Sequence, residues 1–215
     1  MKFAVLGATG PTGQEFVKEA LDNGHSVTAL VRSPEKLTTN CDRLKVVKVD
    51  IFKEEDLVEH FKDSDAVISC LGCRPSFLGL SPITFYTDSI KPIAEALRKA
   101  NRSRLICMTA ACTKSVPGNP FIIEWVLKPL FLGKTLKSMS EMEDYLDTKC
   151  SDLDYTVVKP PALKNAESTG ALVKTSEGQY VAEGTGQITR RDVAKFMLSC
   201  AVDRLWIKKL VAVSS

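Results

Sequence analysis

Histidine is almost missing from this chain, with only His25 and His60 among 215 residues. His25 follows Gly24 and His60 sits in a charged stretch, and neither has neighbours suited to a metal site or a nucleophile–base pair. Charge of one sign is also scarce. The formal net charge is +3 and the basic residues are dispersed, so no nucleic-acid footprint is expected. Long hydrophobic runs are absent: the longest apolar region, Phe121 to Leu132, is broken by Glu124, Lys128 and Pro129 and is too short to span a bilayer. No leader pattern precedes the β-like run that starts at residue 2. The seven cysteines, at 41, 70, 73, 107, 112, 150 and 200, are an odd and sparse set, unlike a disulfide scaffold. These absences predict a cytosolic protein with neither a membrane nor a nucleic-acid partner. With 44% apolar residues and no repeat or linker, residues 1–215 read as one domain, expected to act as a monomer on a small molecule.

What the chain does have is a glycine-rich turn between two regular elements. The apolar run Lys2-Phe3-Ala4-Val5-Leu6 leads into Gly7-Ala8-Thr9-Gly10-Pro11-Thr12-Gly13, which opens a helix-patterned stretch from Gln14 to Asn23. Strand, glycine turn and helix in that order form the entry to a nucleotide-binding βαβ unit. Glycine lets backbone approach a pyrophosphate closely, and the helix N-terminus supplies free N–H groups and a positive dipole end. The spacing is G-x-x-G-x-x-G, as in the short-chain dehydrogenase branch of such folds.

Period-two patterns predict further strands at 26–31, 44–49, 66–70, 104–109 and 155–159, with a β-like tail run over 205–213. Helical spacing covers 53–61, 84–101, 131–149 and 191–201, with Pro92 expected at a kink or first turn. Strands alternating with helices predict an α/β fold, a doubly wound, mostly parallel sheet. Ligands then bind at the carboxyl ends of the strands, here Gly7 to Gly13, Arg32, Asp50, Leu71-Gly72, Thr109 and Pro160-Pro161.

Arg32 stands nineteen residues after Gly13, where NAD enzymes carry an acid for the ribose hydroxyls. An arginine there favours a 2′-phosphate, and Ser33 and Lys36 add donors, so NADPH is expected over NADH. A solvated arginine capping the strand is the alternative. Asp50 could accept from an adenine amino group.

GATGPTG (7–13), LVRSPEKL (30–37), SDAVISCLG (64–72), LSPIT (80–84), ICMTA (106–110), LDYTVVKPPAL (153–163), STGAL (168–172) and ITRRDVAKFML (188–198) together resemble the biliverdin reductase B/flavin reductase family. That family is an atypical short-chain dehydrogenase group of Rossmann fold. The resemblance implies NADPH-dependent hydride transfer to FMN, a substrate and not a bound cofactor, or to biliverdin and similar flat oxidants. It implies pyrophosphate contacts from Gly7, Thr9, Gly10, Pro11, Thr12 and Gly13, 2′-phosphate contacts from Arg32, Ser33 and Lys36, and adenine contacts from Asp50 and Ile51. Leu71 and Gly72 would follow the ribose and diphosphate. Thr109, a serine in the family, would lie beside the nicotinamide as a hydroxyl donor and the one catalytic candidate, and Pro160 and Pro161 would border the ring. Substrate-side elements would come from about 74–134 and 160–190. The position after Pro161, histidine in the mammalian form, is Ala162 here, which removes one proton donor.

Carbonyl-reducing short-chain dehydrogenases use Tyr-x-x-x-Lys, the lysine lowering the phenol pKa. Tyr145 and Lys149 have that spacing but stand too close to the strand at Tyr155, so they read as a decoy. Lys137 better fits the lysine's place, and Gly133 occupies the matching tyrosine position. Flavin or quinone reduction needs little beyond hydride delivery, because solvent can protonate the product. Cys70-Leu71-Gly72-Cys73 reads as small groove-lining residues, not as a redox or zinc motif, and Cys107 and Cys200 read as packing. Phe121 and Trp125 either stack on an aromatic substrate or cover the core. Two other functions fit a lost tyrosine: a non-catalytic NADP(H) sensor of the NmrA-like kind, or a reductase of a specialised metabolite.

Overall fold

Alternation along the central strands decides which helices cover which face of the sheet. The computed structural model describes residues 1–73, 84–117, 119–168 and 170–215. The motif residues 80–83 and part of the proposed substrate-side segment therefore lie outside the described residues. In β1 (Lys2–Leu6), Phe3 and Val5 join one core cluster while Ala4 and Leu6 join the other. The same split runs through β4 (Ala66–Ser69), β5 (Arg104–Met108) and β6 (Asp154–Lys159), as expected when successive side chains point to opposite faces. The first cluster is closed by α1 (Pro11–Asp22) and α5 (Arg190–Val202), which pack on each other. The second is closed by α2 (Glu55–Lys62), α3 (Phe85–Lys99) and α4 (Gly133–Lys149).

With β2 (Ser26–Val31), β3 (Leu44–Lys48), β8 (Lys174–Ser176) and β10 (Lys209–Ser214), the main sheet has eight strands in the order β3-β2-β1-β4-β5-β6-β10-β8. All pairings are parallel except β8 with β10. A small parallel pair, β7 (Ala162–Lys164) with β9 (Gln187–Thr189), lies apart from it. The chain is thus a single α/β domain with a doubly wound, mostly parallel sheet. Its order reverses between β1 and β4, the switch point at which such sheets bind ligands.

Three elements differ from the sequence expectation. Pro92 lies inside α3, not at its start. The carbonyl it leaves unpartnered is that of Asp88, an exposed residue on a side that water can reach, so the helix continues through it. Ahead of α4, Ile123–Leu132 forms a π-helix, so the helical chain begins well before residue 131. Its wide turn ends where the Gly133 N–H bonds the Lys128 carbonyl, at a spot where a Cβ would lie 2.7 Å from that oxygen. The segment turns its charges inward: Glu124 accepts from Ser115, Asn119 and Lys128. Phe121 and Trp125 stand 72% exposed and stack on each other at 6.1 Å, so they do not cover the core. Finally, the strand expected from 205 starts at Lys209, because Arg204, Trp206 and Lys208 take left-handed backbone conformations.

Arg104, the buried first residue of β5, ties these turns to the sheet. Its guanidinium donates to the carbonyls of Asp154, Cys200 and Leu205 and to Thr156 Oγ1. Arg104→Met should lower unfolding free energy by about 2–4 kcal/mol, since four acceptors, those on Thr156 and Cys200 buried, lose a charged donor. Urea denaturation followed by circular dichroism checks this; a loss under about 1 kcal/mol would show that water replaces the guanidinium.

Candidate nucleotide-binding site

The glycine turn is shaped by what a side chain would hit. Gly7 has φ +75°, and a Cβ on it would lie 2.6 Å from the Cys70 carbonyl oxygen, just past the paired ends of β1 and β4. A Cβ on Gly13 would collide with the carbonyl of Gly7 itself, which locks the start of α1 against the turn. Gly10 is the N-cap of α1 and donates to the Gly7 carbonyl at 2.9 Å, with Pro11 as the first helical residue. The first intrahelical bond is from Gln14 to Gly10, so the amides of Thr12 and Gly13 have no carbonyl within the helix. Free amides at a dipole's positive end beside a Cβ-free wall form a cradle that fits a phosphate pair. Thr12 is buried, so it contributes backbone to that cradle more than side chain.

Above the turn opens a cleft of about 620 Å³. Its lining brings together Gly7, Thr9, Gly10, Arg32, Ser33, Lys36, Asp50, Ile51, Leu71 and Gly72 from the ends of β1 to β4. Arg32 and Lys36 are exposed at the rim after β2, Arg32 ahead of the 3₁₀ turn Pro34–Lys36 and Lys36 as its last residue. Asp50 is held in a tight turn: its Oδ1 accepts from the Phe52 amide at 3.1 Å, while its own amide donates to Asp56 at 3.0 Å. Sequence patterns did not single out Phe52 and Phe85, whose rings meet edge-to-face at 6.0 Å on the cleft wall. They come from separate elements, and only the fold joins them.

Thr109, Pro160 and Pro161 do not line this cleft. They sit one and two strands beyond β4, at the carboxyl ends of β5 and β6, where the Pro160 carbonyl accepts from Ala111 at 2.8 Å. The expected role of Thr109 as a proton donor meets an obstacle: its hydroxyl donates to Glu143 Oε1 at 2.7 Å and the residue is buried. Lys137 is no catalytic lysine either, standing 79% exposed in a 3.9 Å pair with Glu141. Tyr145 packs near the C-terminal end of α4, against Arg98 in the last turn of α3, on the edge of the sheet where β5 begins. That is the wrong end for a ligand at the strands' carboxyl termini, and burial raises its phenol pKa besides.

What the sequence reading missed is a buried charge cluster under Thr109. Lys159, the last residue of β6, and Glu143 in α4 are both fully buried, with Lys159 Nζ 2.9 Å from Glu143 Oε2. Burial pushes the Lys159 ammonium below its usual range, and the Glu143 carboxylate works against that shift. No local pattern announces the pair, because its members are sixteen residues apart in separate elements. The cysteines behave as packing: burial pushes the Cys70 and Cys200 thiols up to about 12, leaving the thiolate scarce at neutral pH. All seven are free, and no metal-ligating group occurs among the described residues. No helix among those residues is long and apolar enough to cross a membrane.

The turn, the switch-point cleft and the strand order together define a Rossmann-fold domain of the nucleotide-binding type. Residues 7–204 match the model of the family described as NAD(P)H-binding, and the chain belongs to that family. It is 31% identical over 204 residues to an uncharacterized chloroplastic protein of Arabidopsis thaliana, covering 90% of this chain and 69% of that one. Among solved structures it is similar to a Streptococcus pneumoniae protein named as an NADH-flavin reductase, at 25% identity, TM-score 0.80 and coverage of 100% and 99%. It is also similar to a Bacillus halodurans protein named as an NAD-dependent epimerase/dehydratase, at 28% identity, TM-score 0.80 and coverage of 100% and 94%. The biliverdin reductase B branch is not singled out by these likenesses, and the chloroplastic relative shows that the family is not confined to the cytosol.

Proposed function

We propose that the protein is an NADPH-dependent reductase acting on flat conjugated acceptors, with free FMN the first candidate and biliverdin-like tetrapyrroles the second. The observation that supports the reductase reading is that none of the three side chains the sequence offered for proton transfer is placed to serve a ligand at the strand ends. Thr109 spends its proton on Glu143, Tyr145 sits at the other end of the sheet, and Lys137 stands in solvent. A carbonyl or sugar substrate needs an acid or base held against it. A flavin takes a hydride and is then protonated by water.

When bound, NADPH supplies that hydride. The residues' part is to hold and orient. The Gly7–Gly13 turn would take the pyrophosphate, the remaining oxygen of Asp50 the adenine amino group, and the Phe52 ring the adenine face. Arg32, Ser33 and Lys36 would take the 2′-phosphate, with no acid at the end of β2 to repel it. The same reading leaves the stacked, exposed Phe121–Trp125 pair as a candidate surface for an aromatic acceptor.

The test is steady-state NADPH oxidation by purified protein with FMN, with NADH run in parallel. Turnover with FMN that prefers NADPH supports the proposal. Tight NADPH binding without turnover on FMN or biliverdin would replace it with the NADP(H)-sensor reading.

A further inference from the structure

The turn after β5 is held with more contacts than a surface connection needs. Glu143 bridges its two ends, Oε1 accepting from Thr109 at 2.7 Å and Oε2 from Thr113 at 2.8 Å. Lys159 closes the bracket, donating to Glu143 Oε2, to Thr113 Oγ1 at 2.7 Å and to Gln179 Oε1 at 3.1 Å. Backbone bonds pin the middle: Ala111 donates to the Pro160 carbonyl, and Cys112 to the Gln179 carbonyl at 2.7 Å. Cys112 is buried yet has φ +58°, a left-handed conformation that a non-glycine residue keeps only where its surroundings impose it. Thr109, Cys112 and Thr113 turn inward, which leaves half-buried Ala110 and Ala111 at the crest.

A dinucleotide whose adenosine half lies over β2 and β3, and whose phosphates lie over β1, extends past the switch point toward the ends of β4, β5 and β6. Its far half then meets this turn. A buried ion pair is weak support for stability alone, because apolar residues of similar volume often do as well. Its expense is better explained by the shape it fixes.

We propose that Glu143 and Lys159 are positioning residues for the nicotinamide half of the dinucleotide, acting by fixing the 109–113 turn. The inference rests on the NAD(P)H-binding reading above and adds the residues that organise its second half. They touch no ligand themselves; they set where Ala110, Ala111 and the Pro160 edge stand.

The experiment compares binding of NADPH with binding of adenosine 2′,5′-bisphosphate, which carries the adenosine and 2′-phosphate but no nicotinamide. It uses the wild type, Thr109→Val, Thr109→Ser and the double variant Glu143→Leu/Lys159→Met. The double variant removes both charges together, and so avoids stranding one in the core. Loss of the positioning hydrogen bond should weaken NADPH roughly tenfold in Thr109→Val and in the double variant. The bisphosphate should stay within about twofold, and Thr109→Ser, which keeps the hydroxyl, should restore NADPH affinity. Should the double variant fail to fold, the two Thr109 variants decide the matter. Equal weakening of both ligands, or no change in NADPH binding, overturns the positioning role alone. A wild type that binds neither ligand overturns the nucleotide-binding reading and this inference with it.

Discussion

Arg32→Glu should weaken NADPH binding by about 100-fold and NADH binding by less than about threefold. A charge-assisted hydrogen bond to a phosphate contributes roughly 1.5–3 kcal/mol. Reversing the charge adds repulsion of a dianion, which the exposed position of the rim screens at physiological salt. The two effects together reach about 3 kcal/mol, or two decades in affinity. NADH lacks the 2′-phosphate and keeps every contact with the glycine turn, so the discrimination is internal to one protein and needs no stability correction. Lys36→Gln should show the same preference at smaller amplitude, roughly fivefold, since Lys36 offers a point charge and Arg32 a fork of donors. Isothermal titration of both nucleotides at two salt concentrations checks this. Equal losses for the two nucleotides would mean that Arg32 only caps β2, the plain structural alternative.

This edge of the site was legible in the sequence because it is local. A strand, its terminal Arg32 and the following Ser33 and Lys36 are contiguous, and the period-two pattern of Val27, Ala29 and Val31 fixes where the strand stops. The glycine turn was legible for the same reason, each glycine constrained by atoms within a few residues or on the neighbouring strand. Pro92 misled because proline's lost N–H is read as a helix break, whereas an exposed carbonyl on the partner side lets the helix run on. The π-helical turn before Gly133 and the left-handed residues at 204, 206 and 208 carry no composition signal, since Arg, Trp and Lys seldom mark such backbone. The Glu143–Lys159 pair was beyond reach for a different reason. A lone glutamate in a helix and a lysine ending a strand both read as solvated, and only the tertiary fold removes water from both. Glu143 of that pair also bears on the expected chemistry, because it accepts the Thr109 hydroxyl hydrogen bond that the sequence offered to a substrate.

The three glycines of the turn should not respond alike to alanine, and the order is predictable from geometry. Gly10 has extended backbone (φ −78°, ψ 159°), and a Cβ there would lie 3.2 Å from the Gly7 oxygen, a contact that a small shift relieves. Gly10→Ala should therefore cost less than about 1 kcal/mol of stability, with the N-cap change a part of it. Gly7→Ala combines a left-handed φ with a 2.6 Å approach to the Cys70 carbonyl. The backbone conformation alone costs about 1–2 kcal/mol, and the clash must part β1 from the end of β4. An overall loss of about 2–4 kcal/mol is expected. Gly13→Ala should be at least as severe, because its Cβ would run into the Gly7 carbonyl with no flexible side chain to yield. Relief there moves the start of α1, and with it the amides that the phosphates need, so NADPH affinity should fall more than 100-fold, the loss of two charge-assisted hydrogen bonds. Urea unfolding and NADPH titration on the three variants separate the readings. If Gly13→Ala folds with wild-type stability and binds NADPH normally, α1 does not stand on the turn as described, and the phosphate cradle must be sought elsewhere along the strand ends.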